Sequence, residues 1–414
     1  MRLRRLRLAT LTAVAALVIA GCAAGGSDEQ GSATASPNSL TLWTDPLYGP
    51  TMEAVAGQFT ATTGVPVKVE QVASELQTVF VTASQAGTGP DLVMGAHDWI
   101  GNLVQNGTID PIPMTAEKQD LFLPKAIEGV TFNSQIYGVP FALENIALFR
   151  NTTLVPDAPA TMEDLIATGE ELKAQGKTTE VLSFPVGATG DAYHSYPLYT
   201  SAGGTVFGRT LAGDYDAKQL ELGTPEGIAA MAKIGALGET GEGVLKRSIS
   251  DNLSQLFTDQ QAPFMITGPW NLPAVIKSGV PYAVSAIPPF ADGGPARPFV
   301  GVQAMYIASK AKNKALAQEF ATNFFPTPEV AKQLFEVQPR PPALKSVYTE
   351  IAATDADIKN FVDAGQDGDI MPSITAMAAV FAPLGKAEAA IIGGADPGST
   401  MTDTAAAING QINR

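Results

Sequence analysis

Cysteine is all but missing from this chain. Cys22 is the only one in 414 residues, so no intramolecular disulfide can form and the folded part rests on core burial. Histidine is nearly as scarce, with His97 and His194 alone. Two distant histidines and one N-terminal cysteine provide no ligand spacing, so neither a metal nor any other cofactor is expected. Basic charge is the minority: 26 Lys and Arg stand against 41 Asp and Glu, for a net −15. Four of those bases, Arg2, Arg4, Arg5 and Arg7, lie within the first seven residues, so the remainder is more acidic still. Such a surface repels phosphate backbones and rules against nucleic acid as a partner. It also rules against a polybasic membrane anchor, and it suits a well-solvated protein with a neutral ligand. G-x-S-x-G is absent, which leaves a Ser-His-Asp mechanism without its nucleophile turn. Beyond residue 22 no apolar run is long enough to cross a bilayer.

The N-terminus is the one strongly apolar stretch. After the arginines, residues 8–20 read L-A-T-L-T-A-V-A-A-L-V-I-A, followed by Gly21 and Cys22. A basic start, a short apolar segment and small residues make a secretory signal, too short to span a membrane stably. I-A-G-C (19–22) resembles a bacterial lipobox, with Ile19 where Leu is more usual; the resemblance implies that Cys22 becomes the lipid-bearing N-terminus of the mature protein. Several acyl chains at about 0.8 kcal/mol per buried CH₂ would anchor it firmly. Residues 23–38, small and polar, read as a flexible tether.

The rest is long enough for two domains of ordinary size, and a 45% hydrophobic content can build their cores. Leu40-Thr41-Leu42-Trp43 reads as a buried strand. Met52, Val55, Ala56 and Phe59 follow at helical spacing, Val65, Val67 and Val69 alternate, and Pro66 puts that strand at an edge or makes it a strand start. Asp91–Met94 and Phe264–Ile266 are short apolar strands. Trp99, Ile100, Leu103 and Val104 fit a helix that Gly107 ends, and Thr161 with Asp164 forms a capping box. Strand–helix–strand–helix order predicts an α/β fold with a parallel sheet.

A series of motifs runs through this pattern: G-T-G-P-D-L (87–92), A-H-D (96–98), Y-G-V-P-F-A-L-E-N (137–145), S-A-G-G (201–204), I-T-G-P-W-N (266–271), R-P-F-V-G-V (297–302), A-L-K-S (343–346) and D-I-M-P-S-I (369–374). In this order they resemble the maltose/maltodextrin-binding proteins of ABC importers over nearly all of residues 40–414. The resemblance implies a two-lobed periplasmic-binding-protein fold, each lobe a central sheet flanked by helices. The first lobe takes residues 40–145 and 303–349, the second 146–302 and 350–414. A hinge lies near 143–147, 302–305 and 348–352, and an oligosaccharide sits in the cleft between the lobes. The implied partners are the membrane permease subunits with their cytoplasmic ATPase, and the chain is expected to be a monomer.

A sugar site needs aromatic faces for the apolar faces of the ring and planar polar groups for hydroxyl pairs. Carried over by motif, Asp98 and Glu144 are hydroxyl acceptors, Asp191 and Tyr193 supply a carboxylate and a ring from the second lobe, and Trp270 is the stacking Trp after Gly-Pro. Phe381 falls where the family has Trp. Each has a plainer reading. Asp98 can cap the following helix, Glu144 can be a solvated hinge residue, Asp191 and Tyr193 lie in a loop that is hard to align, and Trp270, Phe381 and Trp43 can be core. Departures from the family pattern are Gly95 in place of a stacking Trp, Trp99 and Gly385 in place of arginines, and Glu75 and Gln77 in place of a Lys/Glu pair. Trp99 can supply the ring that Gly95 lacks. No Arg/Lys clamp is apparent, with Arg209, Arg297 and Arg340 unplaced. A different glycoside or a polyol is the alternative ligand. A secreted glycosidase using two of Asp98, Glu144 and Asp191 is the alternative class, and the chain is expected not to be an enzyme.

Overall fold

The computed structural model describes residues 38–211 and 213–413. The signal segment, Cys22 and residues 23–37 of the expected tether lie outside them. Hydrophobic periodicity accounts for the first elements. In β1 (Leu40–Thr44) the residues Leu40, Leu42 and Thr44 are buried in turn with half-exposed ones, and α1 (Gly49–Thr63) buries Met52, Val55, Ala56 and Phe59 on one face. β2 (Val67–Gln71) pairs in parallel with β1 at the end of the sheet, which is where Pro66 at a strand start is tolerated. After α2 (Leu76–Ala86), β3 (Leu92–Ala96) adds in parallel on the other side of β1.

The first sheet is completed by strands from far along the chain. β4 (Gly138–Glu144) and the long β8 (Phe299–Ile307) are antiparallel to one another, β8 is also antiparallel to β3, and the two-residue β9 (Asp369–Ile370) closes the row. The second sheet departs from the parallel expectation. β5 (Ala147–Asn151) lies between β6 (Phe264–Thr267) and β7 (Tyr282–Ser285), and both pairings are antiparallel. A long stretch of chain intervenes between β5 and β6, so local strand–helix order does not constrain the direction of that pairing.

Two large cores divide the chain. One is built from residues between Leu40 and Leu143 and between Val300 and Val347. The other is built from Ile146 to Phe299 and from Met371 to Ile408, with a smaller cluster around Phe149, Met265 and Phe361 beneath the second sheet. The chain passes from one core to the other between Leu143 and Ile146 and again within β8 between Phe299 and Val300; after Val347 it enters the smaller cluster at Phe361 and Ala364, touches the first core at Ile370 and joins the second at Met371. This is the two-lobed α/β architecture expected. Helix boundaries follow local chemistry: the Thr161/Asp164 capping box opens α4 (Met162–Ala174), with both reciprocal bonds at 3.1 Å, and Gly107, at φ 62°, follows α3 (Ile100–Gln105). Among the described residues no helix is long and apolar enough to cross a membrane.

Candidate ligand-binding site

Each lobe turns out of a strand by the same device. β3 ends at Ala96 and a single 3₁₀ turn, His97–Trp99, leads into α3. β6 ends at Thr267 and a 3₁₀ turn, Pro269–Asn271, follows Gly268. In both cases the tryptophan folds back over a glycine. A Cβ on Gly95 would lie 2.0 Å from Trp99 Cζ3, and a Cβ on Gly268 would lie 2.1 Å from Trp270 Cζ3. The indole of Trp99 therefore occupies the space that a side chain at position 95 would take, and each glycine is required by the ring above it.

His97 makes the first turn rigid. It is fully buried, Val302 N–H donates to its Nδ1 (3.0 Å), and its Nε2 lies 2.9 Å from the Met371 carbonyl. That pattern requires the neutral ring protonated on Nε2, and burial lowers its pKa accordingly. His97 thus ties together the end of β3, β8 and the 369–374 segment. Next to it, Asp98 Oδ1 is buried without a hydrogen-bond partner. Burial pushes its carboxyl up to about 6, with the Glu144 carboxylate adding to the effect. No side chain caps the start of α3, so Asp98 is not serving as that cap. It lines a cavity of about 300 Å³ with Gln77, Asn102, Met377 and Phe381, the last at the start of α6 (Phe381–Ile392). A second cavity, of about 280 Å³, holds Asp45, Tyr48, Glu75, Trp99 and Gln303.

Glu144, the last residue of β4, faces β8. Its Oε1 accepts from Gln303 Nε2 at 3.1 Å, and the carboxylate is in ion-pair contact with Arg340. Arg340 Nη1 donates to the Tyr48 hydroxyl at 2.9 Å. Arg340, Tyr48 and Gln303 were not among the expected site residues. The only sequence signal was an unplaced arginine embedded in P-R-P-P. Arg209 and Arg297 lie elsewhere, 3.6 and 3.5 Å from Asp369.

The second lobe supplies rings. Tyr193 sits in the first turn of α5 (Ala192–Ser201), its hydroxyl buried and without a hydrogen-bond partner. Burial raises its pKa well above the ordinary value, with Glu144, Asp191 and Asp98 reinforcing the shift and Arg340 opposing it. Its ring lies 6.3 Å from Trp270, tilted by 44°, and 6.4 Å from Phe299, which in turn is 6.4 Å from Phe381. Asp191 is committed within its own helix. Oδ1 accepts the backbone N–H of Tyr193 and of His194, each at 3.1 Å, and Oδ2 lies 2.8 Å from His194 Nδ1. Burial opposes its charge, but the His194 and backbone contacts outweigh it and hold its pKa below the usual range. The other ring nitrogen, His194 Nε2, is buried without a partner. Behind this turn, Glu388 accepts from Asp191 N–H at 3.0 Å and is wholly buried, and burial with the Asp191 charge drives its carboxyl up to about 8.

Gly385 has an equally local reason. Gly190 adopts φ 71° and presses on α6, so a Cβ on Gly190 would lie 1.7 Å from the Gly385 carbonyl and one on Gly385 2.9 Å from that of Thr189. The 189–191 loop leaves no room for a side chain at position 385. Trp43 is half-buried against the first core and donates from Nε1 to Glu70 at 2.6 Å, away from the cleft residues. Among the described residues no His, Cys, Asp or Glu cluster could hold a metal ion.

Two cores with paired strand-end turns and buried polar atoms between them suit a solute-binding protein, and the family comparison agrees. Residues 54–361 match the family described as Bacterial extracellular solute-binding protein. The chain belongs to this family. It is 27% identical to the galactooligosaccharide-binding protein of Bacillus subtilis (strain 168) over 97% of this chain and 96% of that one. It is 30% identical to the maltotriose-binding protein of Pyrococcus abyssi (strain GE5 / Orsay) over 74% and 66%. To a maltooligosaccharide ABC transporter solute-binding lipoprotein of Streptococcus pneumoniae (strain ATCC BAA-255 / R6) it is 27% identical over 91% and 89%.

Proposed function

We propose that this solute-binding protein captures a neutral oligosaccharide of the maltodextrin type and presents it to the permease of an ABC importer, without chemistry of its own. The reading takes the lobes as residues 40–145 with 303–349, and 146–302 with 350–414, closing about the crossings between them. It takes Cys22 as the lipid anchor on the outer face of the cell membrane and residues 23–38 as the tether. The observation that carries it is the character of the cleft. Asp98 Oδ1, the Tyr193 hydroxyl and His194 Nε2 are buried polar atoms with no protein partner, while Trp99, Trp270 and Phe381 lie half-buried near them. Buried polar groups demand hydrogen bonds, and a ring bearing hydroxyls on its rim and C–H groups on its faces answers both requirements. Glu144 and Gln303 contribute planar acceptors and donors, and Asp191 acts by aiming Tyr193 and His194. Maltotriose-type and galactooligosaccharide ligands both have named relatives behind them, and Trp99, lying where a side chain at position 95 would stand, keeps a stacking face there in the absence of an arginine fork. Titration calorimetry of residues 38–414 against maltotriose, galactotriose, β-glucosides and trehalose tests the reading. It is expected to give micromolar or tighter affinity, about −8 kcal/mol, for at least one of them. Binding of ionic metabolites with none of these sugars would refute it.

A further inference from the structure

The two cavities beside Asp98 and Trp99 have carboxylates but no lysine or arginine among their described lining residues, and Arg340 is the cation bonded to that lining through Tyr48 and paired with Glu144. Asp45, Glu75, Asp98 and Glu144 all face it or the two cavities. The guanidinium is held from behind. The segment that carries it is zipped to β4 by Leu143 N–H to Pro341 O (2.8 Å) and Ala343 N–H to Phe141 O (3.0 Å), so its origin is fixed by backbone bonds. Nη1 donates to Tyr48 and to Gln338 Oε1, and Nε meets Glu144 without hydrogen-bond alignment. Nη2 is the donor that no described residue engages. The side chains of Arg340 and Glu144 are only 14% and 16% exposed, too little for water to screen either charge.

We infer that Arg340 is a specificity-determining residue of the cleft: it fixes the Glu144 carboxylate, cancels its charge and offers Nη2 beside it, so that the pair takes a neutral hydroxylated ring and refuses charged sugars. The inference rests on the sugar-binding reading above. Its physical basis is that a charged ligand group entering here meets a pair already neutralised, and is desolvated without a counter-charge. A guanidinium with only a structural duty, holding Tyr48 and the 338–343 segment, would leave ligand charge preference untouched.

The test uses three charge-matched probes: maltotriose, its 6-amino-6-deoxy counterpart (cationic) and its C6-oxidised uronate counterpart (anionic). Galactotriose and its equivalents serve if calorimetry shows that sugar to be the one bound. Affinities are measured for the wild-type chain, Arg340→Gln, Glu144→Gln, Arg340→Lys and the double Glu144→Gln/Arg340→Gln protein. The wild-type chain should prefer the neutral probe over both others. Arg340→Gln, which leaves Glu144 uncompensated, should shift the cation-to-neutral affinity ratio toward the amino sugar by about tenfold or more, and Glu144→Gln should shift the anion-to-neutral ratio toward the uronate by a similar factor. Arg340→Lys, which keeps the charge, should restore the wild-type ratios. Either single variant can fail to fold with a buried unpaired charge. The double variant removes both charges together: it should still disfavour both charged probes, as the neutral wild-type pair does, and should bind the neutral probe about tenfold more weakly because Nη2 is gone. Ratios unchanged within about threefold in a folded Arg340→Gln or Glu144→Gln protein, or wild-type affinity of the double variant for the neutral probe, would overturn the inference while leaving the sugar-binding reading intact. Failure of the wild-type chain to bind any neutral sugar would overturn both.

Discussion

Replacing Asp98 by asparagine separates a binding residue from a structural one. The carboxyl of Asp98 rises from 3.8 to about 6 because burial disfavours its ionised form, with Oδ1 unpartnered and the Glu144 charge adding to the rise against one opposing backbone hydrogen bond. A rise of that size means that folding disfavours the charged form over the neutral one by about 3 kcal/mol. The sign follows from proton counts. With its folded pKa above its unfolded one, Asp98 holds more protons folded than unfolded between about pH 4 and 6, so stability is fully present below that window and declines as pH rises through it. Above it the wild-type chain carries the whole cost. Asparagine keeps the shape and removes the charge, so Asp98→Asn should be more stable than wild type by about 2–3 kcal/mol at pH 7.5, the difference vanishing near pH 4. The same substitution should weaken oligosaccharide binding by about tenfold or more, since a charged acceptor forms the stronger hydrogen bond. Urea unfolding at a series of pH values, with calorimetric titration at pH 7.5, measures both. A variant destabilised equally at every pH, with unchanged affinity, would show that Asp98 serves the first turn of α3 and would refute the reasoning.

Glu388, wholly buried with its carboxyl at about 8, should cost stability as pH rises from about 5 to 8. Glu388→Gln should flatten the unfolding profile across that window and leave stability near pH 5 almost unchanged. Trp270→Ala should weaken binding about thirtyfold, roughly 2 kcal/mol, by titration calorimetry with little change in melting temperature, and Trp99→Ala comparably. Gly268→Ala and Gly95→Ala should mimic those losses with both tryptophans retained, because each new Cβ collides with the indole above it and forces it aside. Ligand should lower the radius of gyration by about 1 Å in small-angle scattering as the lobes close, and equal curves with and without bound sugar would contradict that closure. Cys22→Ala should move the protein from the membrane fraction to the medium, with loss of radiolabelled palmitate.

Much of this protein is legible from local chemistry in its sequence alone. The basic, apolar and small-residue order of the first 22 residues carries the expectation of export and a lipid site, since such signals are a matter of local residue order. Strand and helix periods, the Thr161 capping box and the glycine-containing strand ends are also local, because each depends on residues within one or two turns. Asp98 and Phe381, both picked out by motif, line one cavity, and the Tyr193 ring lies 6.3 Å from Trp270. Only the tertiary structure decided how distant segments meet. Gln303 reaches Glu144 across 159 residues and Arg340 reaches Tyr48 across 292, and no spacing rule encodes such pairs. The antiparallel order of the second sheet, the commitment of Asp191 to its own helix and the close Gly190–Gly385 contact were settled in the same way. Each depends on which surfaces the folded cores bring face to face, and that is a property of packing rather than of any short stretch of sequence.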